Sequence, residues 1–395
     1  MVIYMEYMST REAAVKWGVS LRYVQRLLHE NRILEAKKNS GTWLIPCDAK
    51  KPIDPRKEGN KQEAGCSQYH YLPFIPLSKK NPDAVIATLP EVYRNLCLAD
   101  LAYRRGNFAP ALACWKNTKE TDVTKLTSAC LGITAAMSKG DYETFDEILQ
   151  FAGECMEQAD NPFDKALLSL PEVLAAVCFV VPDMVPEWLK EADFSLFPAE
   201  IVPFLLYLHS MHLRNIGDFK GVQITTKTQL ILSIRKNTFS WLDLNNSLLC
   251  AWACLKLNDR EQTKQYLLQA INLGLPYGMI MPFADYVGLF GGLLEALVEE
   301  HYPQYKDSIL ALWGKSFPNW ITFHNHFARK NITTILSSQE YQVAYLIANG
   351  SSYAEASRNM FLSVSRIKSI LSGIYKKLDI QNRYQLGDFI LYRQN

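Results

Sequence analysis

Apolar residues recur along most of this chain at helical spacing, and Gly, Asn, Ser and Pro interrupt the pattern where helices must begin or end. Near the start, Ser9 and Glu12 form a capping box for a helix that Gly18 closes. Ser20 caps a second helix, in which Val24, Leu27 and Leu28 fall at i, i+3 and i+4. Ala13, Ala14, Trp17 and Val19 supply the facing surface. Two short helices joined by a glycine turn are a helix-turn-helix pattern. The period then changes. Residues 33–36 and 42–45 read as strands, with Lys37, Lys38, Asn39, Ser40 and Gly41 in the turn between them. A hairpin after two such helices is a wing, and its basic tip suits a backbone lying near phosphates.

Residues 50–83 are rich in Lys, Pro, Gly, Asn and Gln and predict a linker, bounded at 59–88. Tyr69, Tyr71, Leu72, Phe74 and Ile75 are candidates to tether its far end. From about residue 89, amphipathic helices follow one another. A short signature recurs at their ends: Gly106-Asn107-Phe108, Gly140-Asp141-Tyr142 and Gly217-Asp218-Phe219, with Asn258-Asp259 in an equivalent place. The first two are 34 residues apart, the tetratricopeptide period, and the next intervals are 77 and 41. Ala102, Ala111 and Ala270 allow close helix approach. This predicts a mainly α protein with a central TPR-like α-solenoid over 89–332. Within it, residues 273–298 are nearly uncharged but hold Asp285, Glu295, Pro276, Pro282 and five glycines. They read as a buried helix pair rather than a membrane span.

Residues 333–395 carry the clearest pattern. Ser337 and Glu340 box a helix with Val343, Leu346 and Ile347 inward, and Gly350 ends it. Ser352 and Glu355 box a short second helix. Ser363 caps a third, whose stripe is Ile367, Ile370, Leu371, Ile374 and Leu378. Opposite that stripe stand Ser365, Arg366, Lys368, Ser369, Ser372, Lys376 and Lys377. Asn382 caps a fourth helix, over about 382–392.

Charge follows the same division. Residues 1–64 hold 12 Lys+Arg against 8 Asp+Glu, residues 333–395 hold 7 against 4, and the middle holds 23 against 28. Two basic ends flank an acidic middle, as in a chain whose ends meet a polyanion. Apolar residues are 48%, enough for a real core and against a disordered tail. Nine irregularly spaced cysteines predict no disulfide framework, and residues 1–8 do not read as a signal peptide. The expectation is a cytoplasmic protein with no membrane partner.

Three resemblances add to this reading. Residues 5–58 resemble the excisionase-like, MerR-related winged helix-turn-helix family through Ser9-Thr10-x-Glu12-Ala13-Ala14, Gly18-Val19-Ser20, Trp43-x-Ile45-Pro46 and Pro52-x-Asp54-x-Arg56. The resemblance implies a domain over 1–58 whose second helix enters the major groove, offering Arg22, Tyr23, Gln25 and Arg26. Arg and Gln pair bidentately with guanine and adenine edges. Residues 266–298 resemble the helical-repeat region of the MalT-like group of LuxR-type regulators through Ala270, Gly278, Phe283, Asp285 and Leu293-Leu294. Residues 335–392 resemble the four-helix LuxR-type (GerE-like) DNA-binding domain, most specifically through Tyr375-x-Lys377-Leu378-x-Ile380-x-Asn382-Arg383. That resemblance implies that the third helix lies in the major groove and the fourth makes a dimer contact. Leu386, Phe389 and Ile390 are the candidates for the contact, with inward packing of all three as the alternative. The family usually has Thr where Arg366 stands and often His where Ile370 stands, so its base preference does not transfer.

Catalytic patterns are lacking. Gly314-Lys315-Ser316 has Ile309 where a phosphate loop needs Gly, in what reads as a helix end. Cys250 and Cys254 read as core, and His209 and His212 share a face without a third metal ligand. His324 and His326 flank Asn325 in a junction. We expect no enzyme, no metal and no cofactor. The sequence points to a bacterial transcription regulator that binds double-stranded DNA as a homodimer. Its helical middle would take a small-molecule or protein effector, and RNA polymerase is a candidate contact. Two alternatives remain. Only the C-terminal end binds DNA, or the chain is a repeat-protein adaptor whose ends dock proteins.

Overall fold

The computed structural model describes residues 7–29, 33, 36–39, 42–47, 49, 76–77, 81–120, 124–236, 239–327 and 336–390. The chain divides into two units, at residues 66 and 67.

In the first unit, helices Thr10–Trp17 and Leu21–His29 form where their caps dictate. Glu12 N–H donates to Ser9 Oγ at 3.3 Å, and Ser9 N–H donates back to Glu12 Oε2 at 2.7 Å. Gly18 turns the chain with φ +61°, a conformation that costs a residue with a Cβ about 1–2 kcal/mol. Val24, Leu27 and Leu28 meet Met8, Ala13, Ile33 and Ile45 in a small core. Strands Lys37–Asn39 and Thr42–Pro46 pair antiparallel, with Lys38 opposite Trp43 and Asn39 opposite Thr42. The expectation that Lys37 and Lys38 occupy the turn is therefore corrected. Both lie within a strand, where backbone pairing sets Lys37 opposite Leu44 and Lys38 opposite Trp43. A third strand, Tyr7–Met8, adds to the other edge of Thr42–Pro46. Two residues are too few to announce a strand by periodicity.

The second unit begins inside the segment expected to be a linker. Strand Pro76–Leu77 pairs with Phe239–Ser240, and helix Pro82–Ala87 is capped by Asn81. Arg105 fastens this helix with two hydrogen bonds to Asp83, at 3.0 and 2.7 Å. The proposed tethers Tyr69, Tyr71, Leu72, Phe74 and Ile75 lie outside the described residues.

Four helical hairpins follow: Glu91–Arg104 with Ala109–Asn117, Lys125–Lys139 with Tyr142–Gln158, Val202–Asn215 with Phe219–Lys236, and Trp241–Lys256 with Arg260–Gly274. Each of the four sequence signatures sits at one of these turns. Gly106, Gly140, Gly217 and Asn258 all take positive φ there. Helices Pro162–Leu168, Leu170–Cys178 and Glu187–Lys190 fill the longest interval between signatures.

The hairpins do not remain an open stack. In a solenoid each repeat touches only its neighbours. Here helix Pro303–Phe327 crosses back over the early hairpins. Asn319 Nδ2 donates to the Ser138 carbonyl at 3.0 Å, and Trp320 Nε1 to the Cys178 carbonyl at 2.9 Å. Phe323 stacks on Tyr142, with ring centroids 4.1 Å apart. This helix runs through Pro318, so Gly314-Lys315-Ser316 lies in its interior and not at a helix end. His324 is likewise inside the helix, buried, with Nδ1 2.5 Å from the Phe179 carbonyl.

Residues 273–298 differ from the expected helix pair. A 3-10 turn, Leu275–Tyr277, and the short helix Met281–Ala284 precede helix Leu293–His301. The glycines are the reason, since Gly278, Gly288, Gly291 and Gly292 all take positive φ. Two of them seat the C-terminal domain. A Cβ on Gly288 would lie 2.5 Å from Leu346 Cδ2, and one on Gly292 would lie 2.4 Å from Glu355 Oε1. Beside them, buried Glu295 accepts from Gly288 N–H at 2.8 Å and from Asn359 Nδ2 at 3.4 Å. Burial pushes its carboxyl above the ordinary value. Among the described residues, no helix is long and apolar enough to cross a membrane.

Candidate nucleic-acid interface

The C-terminal domain assembles from its caps inward. Helices Ser338–Ala348 and Tyr353–Asn359 open on the two expected capping boxes. Ser363 Oγ accepts Arg366 N–H at 3.1 Å and starts helix Val364–Leu378. Asp379, at φ +54°, ends it. Ile367, Ile370, Leu371, Ile374 and Leu378 are all buried. With that stripe fixed inward, Ser365, Arg366, Lys368, Ser369, Ser372, Lys376 and Lys377 are all exposed. The structure thus brings all seven sequence candidates onto the outward side of one helix.

Their surroundings separate them. Arg366 forms no ion pair with any described carboxylate, so its charge is available to a ligand. Lys368 Nζ lies 6.0 Å from the Tyr353 ring, which links it to the preceding helix. Lys377 Nζ is instead bound to Glu340 Oε2 at 2.8 Å. Partial burial raises the Glu340 carboxyl, but Lys377 and the Ser337 cap outweigh that and leave it below its ordinary value. Lys377 therefore ties the third helix to the first. Tyr353 was missed by the sequence reading, because an aromatic at the first position of a short helix carries no periodic signal.

The fourth element is a 3-10 helix, Arg383–Phe389, rather than a longer α-helix. Arg383 Nη2 donates to the carbonyls of Ile347 at 3.1 Å and Ser351 at 3.4 Å, holding it against the first helix. Leu386 is 0% exposed and Ile390 5%, so both belong to the chain's own core. That corrects their assignment to a dimer surface. Phe389, 40% exposed, is the one of the three that faces outward.

In the N-terminal unit, Arg22, Gln25 and Arg26 are exposed on one helix. Tyr23 is a correction. Its ring packs against the small core with its hydroxyl buried, and the Arg26 guanidinium lies 4.9 Å from the ring. Tyr23 therefore packs inward beside Arg26 and is not part of the outward set. Lys37 and Lys38 are exposed on the hairpin, with Lys38 Nζ 5.7 Å from the Trp43 ring.

The remaining candidates for chemistry have structural surroundings. Cys250 and Cys254 are 0% exposed. His209 Nδ1 lies 2.7 Å from the Leu189 carbonyl, and burial lowers the His212 imidazole below its ordinary value. A cavity of about 240 Å³ lies within the second unit, with Asp285 in its wall. The sequence marks Asp285 as a charge in a nearly uncharged stretch and as part of a resemblance, but not as a cavity residue, because the cavity walls come from helices far apart in the chain.

No curated protein and no solved structure matches this chain. Residues 334–390 match the family model described as bacterial regulatory proteins, luxR family (GerE). The module carrying the exposed basic helix is therefore a GerE/LuxR-family domain, and it supports a DNA-binding transcription regulator.

Proposed function

We propose that this protein is a sequence-specific transcription regulator that reads its operator with helix Val364–Leu378, and that its helical middle senses an effector. The carrying observation is the outward face of that helix within a GerE-family domain. Ser365, Arg366, Lys368 and Ser369, in its first half, are placed to reach base edges, and Lys376 is placed for phosphate. Binding needs no catalysis, metal or cofactor. A single module of this size reads few base pairs, so the protein works as a homodimer on half-sites about one helical turn apart. RNA polymerase is the partner such a complex would recruit.

The N-terminal unit acts as a winged helix-turn-helix and adds a second contact through Arg22, Gln25 and Arg26, with Lys37 and Lys38 on phosphate. One observation favours a narrower reading, in which only the C-terminal domain touches DNA. With Tyr23 turned inward, the N-terminal helix offers a short reading face. Gel shifts on genomic fragments separate the two. The full chain and a chain lacking residues 1–58 are compared at several salt concentrations. Our reading expects weaker binding and a shallower salt slope from the truncated chain. Equal affinity and slope would favour the narrower reading, and no binding by the full chain would overturn both.

A further inference from the structure

We propose that the cavity in the helical middle, whose wall is completed by Tyr345 of the GerE-family domain, binds a small molecule through its protonated amine, held by Asp285. This deepens the sensor role proposed above and rests on it only for its effect on DNA binding. The first observation is Asp285 itself. Protein surrounds it on most sides, yet the residue is exposed, because its side chain faces the open cavity. No described residue gives its carboxylate a hydrogen bond or ion pair. Burial pushes the carboxyl up to about 7, with Arg214 and Arg104 partly opposing. A carboxylate surrounded by protein but given no donor by it is poorly stabilised, and a ligand that enters the cavity with donors relieves it.

The lining specifies the kind of donor. Tyr103, Tyr207, Tyr286, Trp313, Trp320 and Tyr345 border the space. Aromatic faces attract cations, and more strongly where the ligand displaces water from them. The nearby arginines are held by protein acceptors. Arg104 donates twice to Asp100, at 3.0 and 2.8 Å, and lies 4.0 Å from the Trp241 ring. Arg214 donates to Asn215 Oδ1 and to the Val177 carbonyl. Asp100, Arg104, Arg214 and Asp285 sum to no net charge. A simple anion would face Asp285, and a purely apolar guest would leave it without a partner. An ammonium group satisfies Asp285 and the rings together. The volume of about 240 Å³ exceeds the ~150 Å³ cavity that accepts benzene, so a single-ring ligand fits.

The cavity also reaches the DNA-binding domain. Tyr345 lies on helix Ser338–Ala348 and is 3% exposed, with its ring 4.8 Å from Phe317 of the long helix. An occupant therefore touches the domain whose docking depends on Gly288 and Leu346.

The test uses the full chain without DNA, which separates its failure from failure of the regulator reading. Phenethylamine, phenylalanine and phenylacetate are titrated calorimetrically into wild type and Asp285→Asn, with thermal melts in parallel. We expect at least one of the two amine probes to bind and raise the melting temperature, while phenylacetate does neither. Phenethylamine binding alone identifies a simple amine, and phenylalanine binding identifies an amino acid. Asp285→Asn, close in shape, should weaken amine binding tenfold or more. The proposal is overturned if phenylacetate binds as well as the amines, if neither amine binds, or if Asp285→Asn binds them unimpaired. The comparison of probes on wild type stands even if the variant fails to fold.

Discussion

Gly288→Ala probes the seat of the GerE-family domain. Gly288 has φ +80°, and a Cβ there would meet Leu346 Cδ2 at 2.5 Å. The backbone conformation alone costs a non-glycine residue about 1–2 kcal/mol. The contact adds overpacking of about 1–3 kcal/mol, because Leu346 is 0% exposed and sits in the core. Together the substitution should destabilise the chain by roughly 2–5 kcal/mol. Gly153→Ala is the matched control. It lies inside helix Tyr142–Gln158, and a Cβ there meets nothing within 4 Å. It should stabilise by up to about 1 kcal/mol, the propensity difference between Ala and Gly. Urea unfolding of both variants reads the difference directly, as midpoints displaced to opposite sides of wild type. A Gly288→Ala midpoint at or above wild type would refute the close approach of Gly288 to Leu346.

Two further outcomes follow from the C-terminal domain. Glu340 titrates below its ordinary value in the folded chain, so the unfolded state binds more protons on acidification. Its contribution is present above the ordinary carboxyl range and is lost as pH falls through the depressed value. Glu340→Gln keeps a capping-box residue but should flatten this acid limb in melts across pH, and an unchanged limb would count against the Lys377 pairing. Phe389→Asp should leave the fold intact and reduce cooperative operator binding, whereas Leu386→Asp should unfold the domain. Unfolding by both would place Phe389 in the core and move the dimer contact elsewhere.

The sequence was most legible where one local rule fixes one local structure. Capping boxes at Ser9, Ser337 and Ser352 start helices as expected, because a serine and a glutamate three residues on satisfy each other's backbone partners. The stripe from Ile367 to Leu378 is buried, so the outward set on that helix followed from periodicity. The glycine signatures likewise mark the turns of the hairpins. Features that depend on contacts distant in sequence were not legible. The return of helix Pro303–Phe327 over Ser138 and Cys178 leaves no periodic trace, so neither the closure nor the cavity was foreseen. Leu386, Phe389 and Ile390 share an apolar pattern, but helical spacing does not tell a core from an interface. The burial of two of them came from packing against the rest of the domain.

The central claim, that helix Val364–Leu378 reads DNA, is tested most directly by operator affinity of Arg366→Ala and Lys368→Ala. The operator is first identified by genome-wide footprinting, then labelled for fluorescence anisotropy with the full chain. Both side chains are exposed, so far-UV circular dichroism should not change. A lost base contact costs about 1–3 kcal/mol, roughly a 5- to 150-fold loss of affinity. The account expects a loss of that size for at least one variant, with relaxed preference at one operator position. Wild-type affinity and preference in both folded variants would contradict it.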